Sequence, residues 1–180
     1  MTYISILRGI NVSGQKKIKM ADLKVLYEEN GFEGVTTYIQ SGNVIFDSED
    51  NDKSNLKSII EKAIKEKYEF HVPVDIRTSQ ELEGILENCP YDEAMIEENA
   101  TKVLVTFLLS IPSKAKIEKL SEYVKPPEKL TVRGCEVYLY CPNGYGKSKL
   151  TNTFLESKLG VSATTRNWRS VRKLYALSAQ

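Results

Sequence analysis

The chain of 180 residues is 41% hydrophobic and 27% charged, with a net charge of +1. A chain of this length buries about 70% of the surface of its unfolded form, and the composition excludes disordered, collagen-like and coiled-coil proteins. No apolar run approaches the ~20 residues of a membrane span, and the 3 cysteines, without CxxC spacing, predict neither a disulfide framework nor a zinc site.

The first half of the chain alternates short apolar strands with segments of helical period. Strands are predicted at residues 3–7, 35–39, 44–47 and 72–77, and helices at 20–30, 56–64 and 82–86. Thr78 and Glu81 have the spacing of a capping box, which opens the third of these helices.

The second half repeats this order, with equivalent landmarks offset by roughly 90 to 100 residues. Strands are predicted at residues 103–109, 129–132, 136–140 and 161–164, and helices after Pro112, through 150–155 and over 168–175. Each half therefore has the order β-α-β-β-α-β-α. This order predicts an α+β fold of duplicated ferredoxin-like (βαββαβ) halves, each followed by an extra helix.

An acidic segment separates the two halves. Residues 81–99 contain seven carboxylates and no Lys or Arg, and the part from residue 89 onward lacks apolar periodicity. We therefore predict two ferredoxin-like α+β subdomains, residues 1–88 and 101–180, joined by an acidic linker at 89–100. A solvated face is expected there rather than a specific partner site.

Positive charge is concentrated in two stretches. Residues 8–19 contain no acid and four cations, namely Arg8, Lys16, Lys17 and Lys19. Residues 144–175 contain one acid, Glu156, and seven cations, namely Lys147, Lys149, Lys158, Arg166, Arg169, Arg172 and Lys173. A local excess of this kind attracts anions even when the whole protein is nearly neutral. The alternative is a scatter of solvated lysines.

The topology predicts two rims that carry Gly, Asn and basic residues. In the first half, residues 8–14 are expected beside 40–43, and in the second half residues 142–149 beside 164–169. We call these loop pairs the first rim and the second rim. The candidate ligand-binding residues are Arg8, Asn11, Gln40, Ser41, Asn43, Tyr145, Lys147, Ser148, Arg166, Asn167, Trp168 and Arg169.

The loop at residues 143–148 resembles the end of a phosphate-binding P-loop. The full motif requires a glycine at the position that Cys141 occupies, so a P-loop NTPase is excluded. Glycines ahead of a helix still allow backbone N–H groups to face an anion, with Lys147 or Lys149 beside it. The alternative is that Ser148 is an N-cap and the glycines only form a turn.

The segment at residues 164–169 is expected to open the last helix. Cations disfavour a helix N-terminus, so Arg166 and Arg169 are candidates for binding an anion. Trp168 begins the apolar stripe, which favours packing over base stacking. The alternative for the asparagines at 11, 43 and 167 is a role in turns and caps.

Residues for catalysis are few. His71 is the sole histidine and precedes a strand, which favours a packed or surface role. Cys141 precedes Pro142 beside the basic loop, a position compatible with a lowered thiol pKa, but the sequence indicates no partner histidine for it. The match of residues 133–140 to an RNA-recognition motif is weak, since Cys135 and Glu136 replace the stacking aromatic and the small residue.

Four separated segments carry a family resemblance: Leu-Arg-Gly-Ile-Asn-Val (7–12), Tyr-Ile-Gln-Ser-Gly-Asn-Val (38–44), Tyr-Gly-Lys-Ser-Lys-Leu (145–150) and Thr-Thr-Arg-Asn-Trp-Arg-Ser-Val (164–171). Over nearly its whole length the chain resembles domain-of-unknown-function family 1697, whose members are uncharacterised bacterial proteins. The departures are Ser13 for the usual Gly, Lys147 for a common Arg and Ser170 for a common Thr. The resemblance implies the duplicated α+β fold and brings no established activity, cofactor or catalytic residue.

The functional hypothesis is a cytoplasmic binding module for a phosphate-bearing ligand, a nucleotide or nucleic acid, without cofactor, metal or membrane. Residues 1–4 enter a strand-like segment without a signal-peptide pattern, which favours the cytoplasm. One alternative is an enzyme that acts on a small phosphorylated or carboxylated metabolite with Lys147, Tyr145 or Cys141. The other is a structural or interaction protein. The sequence specifies neither the particular ligand nor the oligomeric state.

Overall fold

The protein is described by a computed structural model that covers residues 1–180, apart from the side chain of Ala94. In the first half the elements are β1 (Thr2–Leu7), α1 (Met20–Glu29), β2 (Glu33–Tyr38), β3 (Asn43–Asp47), α2 (Lys53–Tyr68), β4 (Val74–Thr78) and α3 (Ser79–Glu87). They are followed by α4 (Glu93–Asn99). In the second half they are β5 (Val103–Leu108), α5 (Lys114–Ser121), β6 (Lys129–Arg133), β7 (Glu136–Tyr140), a 3-10 turn (Tyr145–Lys147), α6 (Asn152–Leu159), β8 (Ala163–Asn167) and α7 (Trp168–Ser178).

Each half folds into one four-stranded antiparallel sheet. The strand orders are β2-β3-β1-β4 and β6-β7-β5-β8, which is the ferredoxin-like order in both cases. The registers also correspond, since Tyr3 lies opposite Phe46 and Thr78, and Leu104 lies opposite Leu139 and Asn167. The predicted α+β fold of duplicated ferredoxin-like halves, each with an extra helix, is confirmed.

The chain divides into two units. The first unit comprises Met1–Glu83 and Leu174–Gln180, and the second comprises Gly84–Lys173. Helices α3 and α7 thus contribute residues to both units. The predicted subdomain limits, 1–88 and 101–180, stay a prediction.

The core of the first unit lies between its sheet and helices α1 and α2. Alternate residues of β1 and β3 supply Tyr3, Leu7 and Phe46, and α2 buries Leu56 and Ile60 at helical spacing. Asp52 caps α2, since its carboxylate accepts a hydrogen bond from the Ser54 N–H at 2.8 Å. The periodicity seen in the sequence therefore corresponds to the buried faces.

The core cluster that packs against α5 and α6 in the second unit is mainly aliphatic. Leu104 and Leu139 of the sheet pack with Leu120 of α5 and with Leu155 and Leu159 of α6. Thr106 lies on the same face of β5 as Leu104, and its polar side chain is fully buried. Thr106 and Thr165 satisfy each other through a hydroxyl–hydroxyl hydrogen bond of 2.7 Å.

Three local features differ from the sequence-based expectation. Helix α4 lies inside the segment predicted as a linker, where Asp92 caps it by accepting from the Met95 N–H at 2.7 Å. Helix α6 begins after Leu150, because the Thr151 hydroxyl caps the Phe154 N–H. Strand β8 continues through Asn167, so residues 164–167 are not the start of the last helix.

Among the helices that the structure describes, none combines the length and the hydropathy that crossing a membrane requires.

Candidate functional site

The first rim brings its two loops together as the topology predicted. The Leu7 N–H donates to the Gly42 carbonyl at 2.9 Å, and the Asn11 side chain donates to the Gln40 carbonyl at 2.9 Å. Arg8 is half-buried beside this contact, and its N–H donates to the Pro73 carbonyl at 2.9 Å. The predicted juxtaposition of residues 8–14 and 40–43 is confirmed.

The asparagines of the first rim hold the loops in place. Asn11 has a φ of 54° and, besides its bond to Gln40, donates to the Ile18 carbonyl and accepts from the Ile18 N–H, both at 2.9 Å. Asn43 is fully buried and donates to the Tyr38 carbonyl at 2.9 Å and to the Ser41 hydroxyl at 3.3 Å. Both asparagines therefore stabilise the loops of the first rim through hydrogen bonds, a common role of asparagine in turns.

The second rim also forms as predicted. Strands β7 and β8 flank β5 and end at the same edge of the sheet, because Val103 pairs with Tyr140 and the next residue, Leu104, pairs with Asn167. The Tyr145 hydroxyl donates to the Thr165 hydroxyl at 3.4 Å and so links the loop to β8. The loop at residues 142–149 is thereby positioned against the end of the sheet.

The glycine-containing loop forms a closed turn instead of leading directly into a helix. The Lys147 N–H donates to the Gly144 carbonyl and the Ser148 N–H to the Tyr145 carbonyl, both at 3.1 Å. The Ser148 hydroxyl accepts from the Leu150 N–H at 3.0 Å. Several amides of the loop therefore bond within it, and an anion would have to be held mainly by side chains.

Lysine side chains surround an open cleft of about 590 Å³ in the second unit, which we call the lysine cleft. Its lining consists of Tyr123, Lys125, Pro126, Pro127, Glu128, Asn143, Lys147 and Lys149. The three lysines are exposed and have no ion-pair partner among the described residues. Glu128 is the single carboxylate of the lining.

Only part of the lysine cleft was predicted from the sequence. Lys147 was singled out there, whereas Lys125, Tyr123 and Asn143 were not. A usable signal was the Lys-Pro-Pro-Glu segment at 125–128, where a cation lies beside two conformationally restricted prolines. Its proximity to Lys147 depends on the tertiary fold.

The residues around the start of α7 have differing accessibility. Arg166 is only 7% exposed on β8, and burial lowers the pKa of its guanidinium to about 10. Arg169 is exposed, and its N–H donates to the Ala100 carbonyl at 3.2 Å. Trp168 is 4% exposed, and the Asn167 side chain caps α7 by accepting from the Ser170 N–H at 2.9 Å. Arg169 is thus the accessible cation of this group.

The lowered thiol pKa considered for Cys141 is not found. Cys141 is fully buried, and burial raises the pKa of its thiol, with the hydrogen bond to Ser148 opposing this effect. His71 is exposed in the first unit, where its Nε2 lies 3.4 Å from the Glu61 carboxylate. A buried neutral thiol is a poor nucleophile, which removes one residue from the enzymatic alternative.

Comparison with known proteins gives a family and a fold. The model of the family described as "Protein of unknown function (DUF1697)" matches residues 1–138. A solved structure of a conserved bacterial protein from Streptococcus pneumoniae is similar, with a TM-score of 0.77 and 24% sequence identity over 98% of this chain and 98% of that chain. No curated protein matches the chain. The similarity to the pneumococcal protein concerns the fold alone.

Proposed function

The chain belongs to the DUF1697 family of proteins of unknown function, and we propose that it is a cytoplasmic module that binds a phosphate-bearing ligand, a nucleotide or a nucleic acid. The observation that carries the proposal is the lysine cleft. Lys125, Lys147 and Lys149 line one cleft without an ion-pair partner among the described residues.

The charge of the lysine cleft favours an anion. Three ammonium groups that share one cleft repel each other, and a bound phosphate relieves this repulsion while accepting hydrogen bonds from them. Some lysines elsewhere in the chain do have a carboxylate partner, as Lys53 does with Glu81 at 2.7 Å. The lysine cleft therefore has the electrostatic character expected of an anion-binding site.

The size and the other side chains of the cleft suit a nucleotide. A volume of about 590 Å³ lies in the range of small-ligand pockets, about 300–1,000 Å³. Tyr123 is 42% exposed and offers aromatic surface to a base or sugar, and Asn143 offers both a donor and an acceptor. Arg169, exposed at the second rim, adds positive potential.

The other residues predicted to contact a ligand are not part of the lysine cleft. Arg166 is left out because it is buried. Ligand contacts by Arg8, Asn11, Gln40, Ser41 and Asn43 stay predictions for the first rim.

The proposal is tested by calorimetric titration with pyrophosphate, ATP and short single-stranded RNA and DNA. We expect the Lys147→Ala/Lys149→Ala variant to lose about 100-fold in affinity, since each lysine supplies a charge-assisted hydrogen bond worth about tenfold. The matched control, Lys114→Ala/Lys119→Ala, removes the same charge from exposed positions on α5 and should bind as the wild type does.

Salt dependence separates the two ligand classes. Oligonucleotide binding should weaken steeply between about 50 and 200 mM salt because counterions are released, whereas a mononucleotide should respond less. Equal losses in both double variants, or no binding of any of these ligands to the wild type, would refute the lysine cleft as the site. Turnover of ATP or pyrophosphate that is lost in Lys147→Ala would instead favour the enzymatic alternative.

A further inference from the structure

The second unit contains another cleft, of about 520 Å³, with charge of the opposite sign. It is lined by the end of α3, by α4 and the turn before it, and by the first turn of α7. We call it the acidic cleft. None of its lining residues belongs to the lysine cleft, so it is a separate feature of this unit.

The inner lining of the acidic cleft is apolar and aromatic. Leu86, Tyr91, Ile96 and Trp168 line it, and Ile96 and Trp168 are 7% and 4% exposed. The Tyr91 hydroxyl donates to the Tyr138 carbonyl at 3.1 Å, which holds the ring in place. The cleft thus presents aromatic surface whose position is set by packing and hydrogen bonding.

The outer lining is strongly negative. Glu87, Asp92, Glu93 and Glu97 contribute four carboxylates, and Arg172 contributes the one guanidinium. Asp92 is engaged as the cap of α4, whereas the three glutamates are exposed and have no ion-pair partner among the described residues. Carboxylates arranged around an apolar floor repel anions and attract cations.

We propose that the acidic cleft binds a small organic cation, an amine or guanidinium carried on an apolar or aromatic body. The body packs against Leu86, Ile96 and Trp168, and the charged group lies among the glutamates. Trp and Tyr rings attract a cation through their π faces, which adds to the carboxylate attraction. The volume is in the range of small-ligand pockets, about 300–1,000 Å³, which favours a small molecule over a peptide segment.

The sole tryptophan of the chain provides a direct readout, because Trp168 lines the acidic cleft. We would follow its fluorescence during titration with phenethylamine, phenethyl alcohol and phenylacetate, which share a shape and differ in charge. The expected result is saturable binding of the amine, at least about tenfold weaker binding of the alcohol, and none of phenylacetate.

Variants that remove the charge of the glutamates test whether these side chains produce the preference for the amine. Glu87→Gln/Glu97→Gln should weaken amine binding about tenfold or more and leave alcohol binding unchanged. The control, Glu118→Gln/Glu122→Gln, alters two exposed carboxylates of the same unit, at the end of α5, and should bind the amine normally. All four positions are exposed, and circular dichroism would verify that the variants retain the fold.

Several outcomes would overturn the proposal. These are equal affinity for the amine and the alcohol, equal effects of the two double variants, or the absence of a saturable signal with the amine. Binding of a Lys- and Phe-containing peptide without binding of phenethylamine would assign the acidic cleft to a protein partner instead. The result does not depend on the lysine cleft, whose ligands have the opposite charge.

Discussion

The two halves of the chain share strand order and register but use their polar side chains differently. In the first half, Ser5 of β1 bonds to the Tyr27 hydroxyl of α1 at 2.7 Å, and Asn11 and Asn43 tie the loops of the first rim. In the second half, lysines and glutamates line two clefts without ion-pair partners among the described residues. The same topology therefore carries different polar side chains in its two halves.

A buried arginine at equivalent positions illustrates the same difference. Arg77 on β4 and Arg166 on β8 lie opposite Ile4 and Val105 of the two central strands. Arg77 donates from Nε to the Asp75 carboxylate at 2.9 Å. The position equivalent to Asp75 is Thr164, which lies opposite Phe107 as Asp75 lies opposite Ile6. Both halves therefore have a buried arginine at this position, but only the first half has an aspartate two residues before it.

The largest effect is expected from Phe46→Ala in β3. Its ring centroid lies 4.7 Å from that of Phe32, 5.4 Å from Tyr27 and 5.8 Å from Tyr3, so truncation leaves a cavity among three rings. We expect the free energy of unfolding to fall by about 3–5 kcal/mol. Leu139→Ala, at the equivalent position of β7, should lower the free energy of unfolding by less, because the neighbours of Leu139 are aliphatic. Urea unfolding checks both, and an equal or larger cost at Leu139 would contradict the distinction between the two cores.

An intermediate effect is expected from Asn11→Ala, which removes three hydrogen bonds and leaves a positive φ of 54°. The cost should be about 2–3 kcal/mol, whereas Asn11→Gly should be about 1 kcal/mol less costly because glycine adopts this φ without strain. In the second half, Asn143→Ala removes no hydrogen bond among the described residues and should change stability by less than about 0.5 kcal/mol. Thermal unfolding of the three variants tests this expectation, and an equal loss of stability in Asn143→Ala and Asn11→Ala would contradict it.

The smallest effect is expected at the N-terminal caps of α3 and α7. Glu81 caps α3 and has a titratable carboxyl group, whereas the amide of Asn167, which caps α7, does not titrate. Burial raises the pKa of Glu81, but hydrogen bonds from Lys53 and the Thr78 N–H, with the charges of Lys53 and Arg77, outweigh burial, and the net pKa is lowered. The ionised Glu81 carboxylate therefore stabilises the folded state above the ordinary glutamate pKa, about 4.3. This stabilisation is lost as the pH falls through the lower pKa of the folded state. We expect it to be about 0.5 kcal/mol, since the side chain is 37% exposed.

The matched variants for this cap are Glu81→Gln and Asn167→Ala. The urea midpoint of Glu81→Gln should differ from that of the wild type at neutral pH and converge with it in acid. For Asn167→Ala the difference should not depend on pH in this way, because the amide cap does not titrate. A pH-independent difference for Glu81→Gln would show that the charge of Glu81 does not stabilise the cap.

Secondary structure followed from the sequence wherever periodicity was strong. Leu56, Ile60 and Ile64 repeat at helical spacing, and the buried face of α2 contains all three. Helix α4 was missed because its 7 residues contain too few apolar side chains to show a repeat. Residues 164–169 were expected to open the last helix, yet residues 164–167 belong to β8 and pair with β5.

The sequence by itself determined the order of elements apart from α4, the duplication, the family and the two rims. Periodicity and local motifs are properties of neighbouring residues, and the ferredoxin-like topology then follows from the order. Only the tertiary structure decided which charges share a cleft and which are buried. Lys125 lines the same cleft as Lys147, and Glu87 lines the same cleft as Trp168, although no local pattern relates these positions. Arg166 is buried because of its place on β8. Whether a charged side chain is accessible depends on what packs around it, which is decided by the folded chain as a whole.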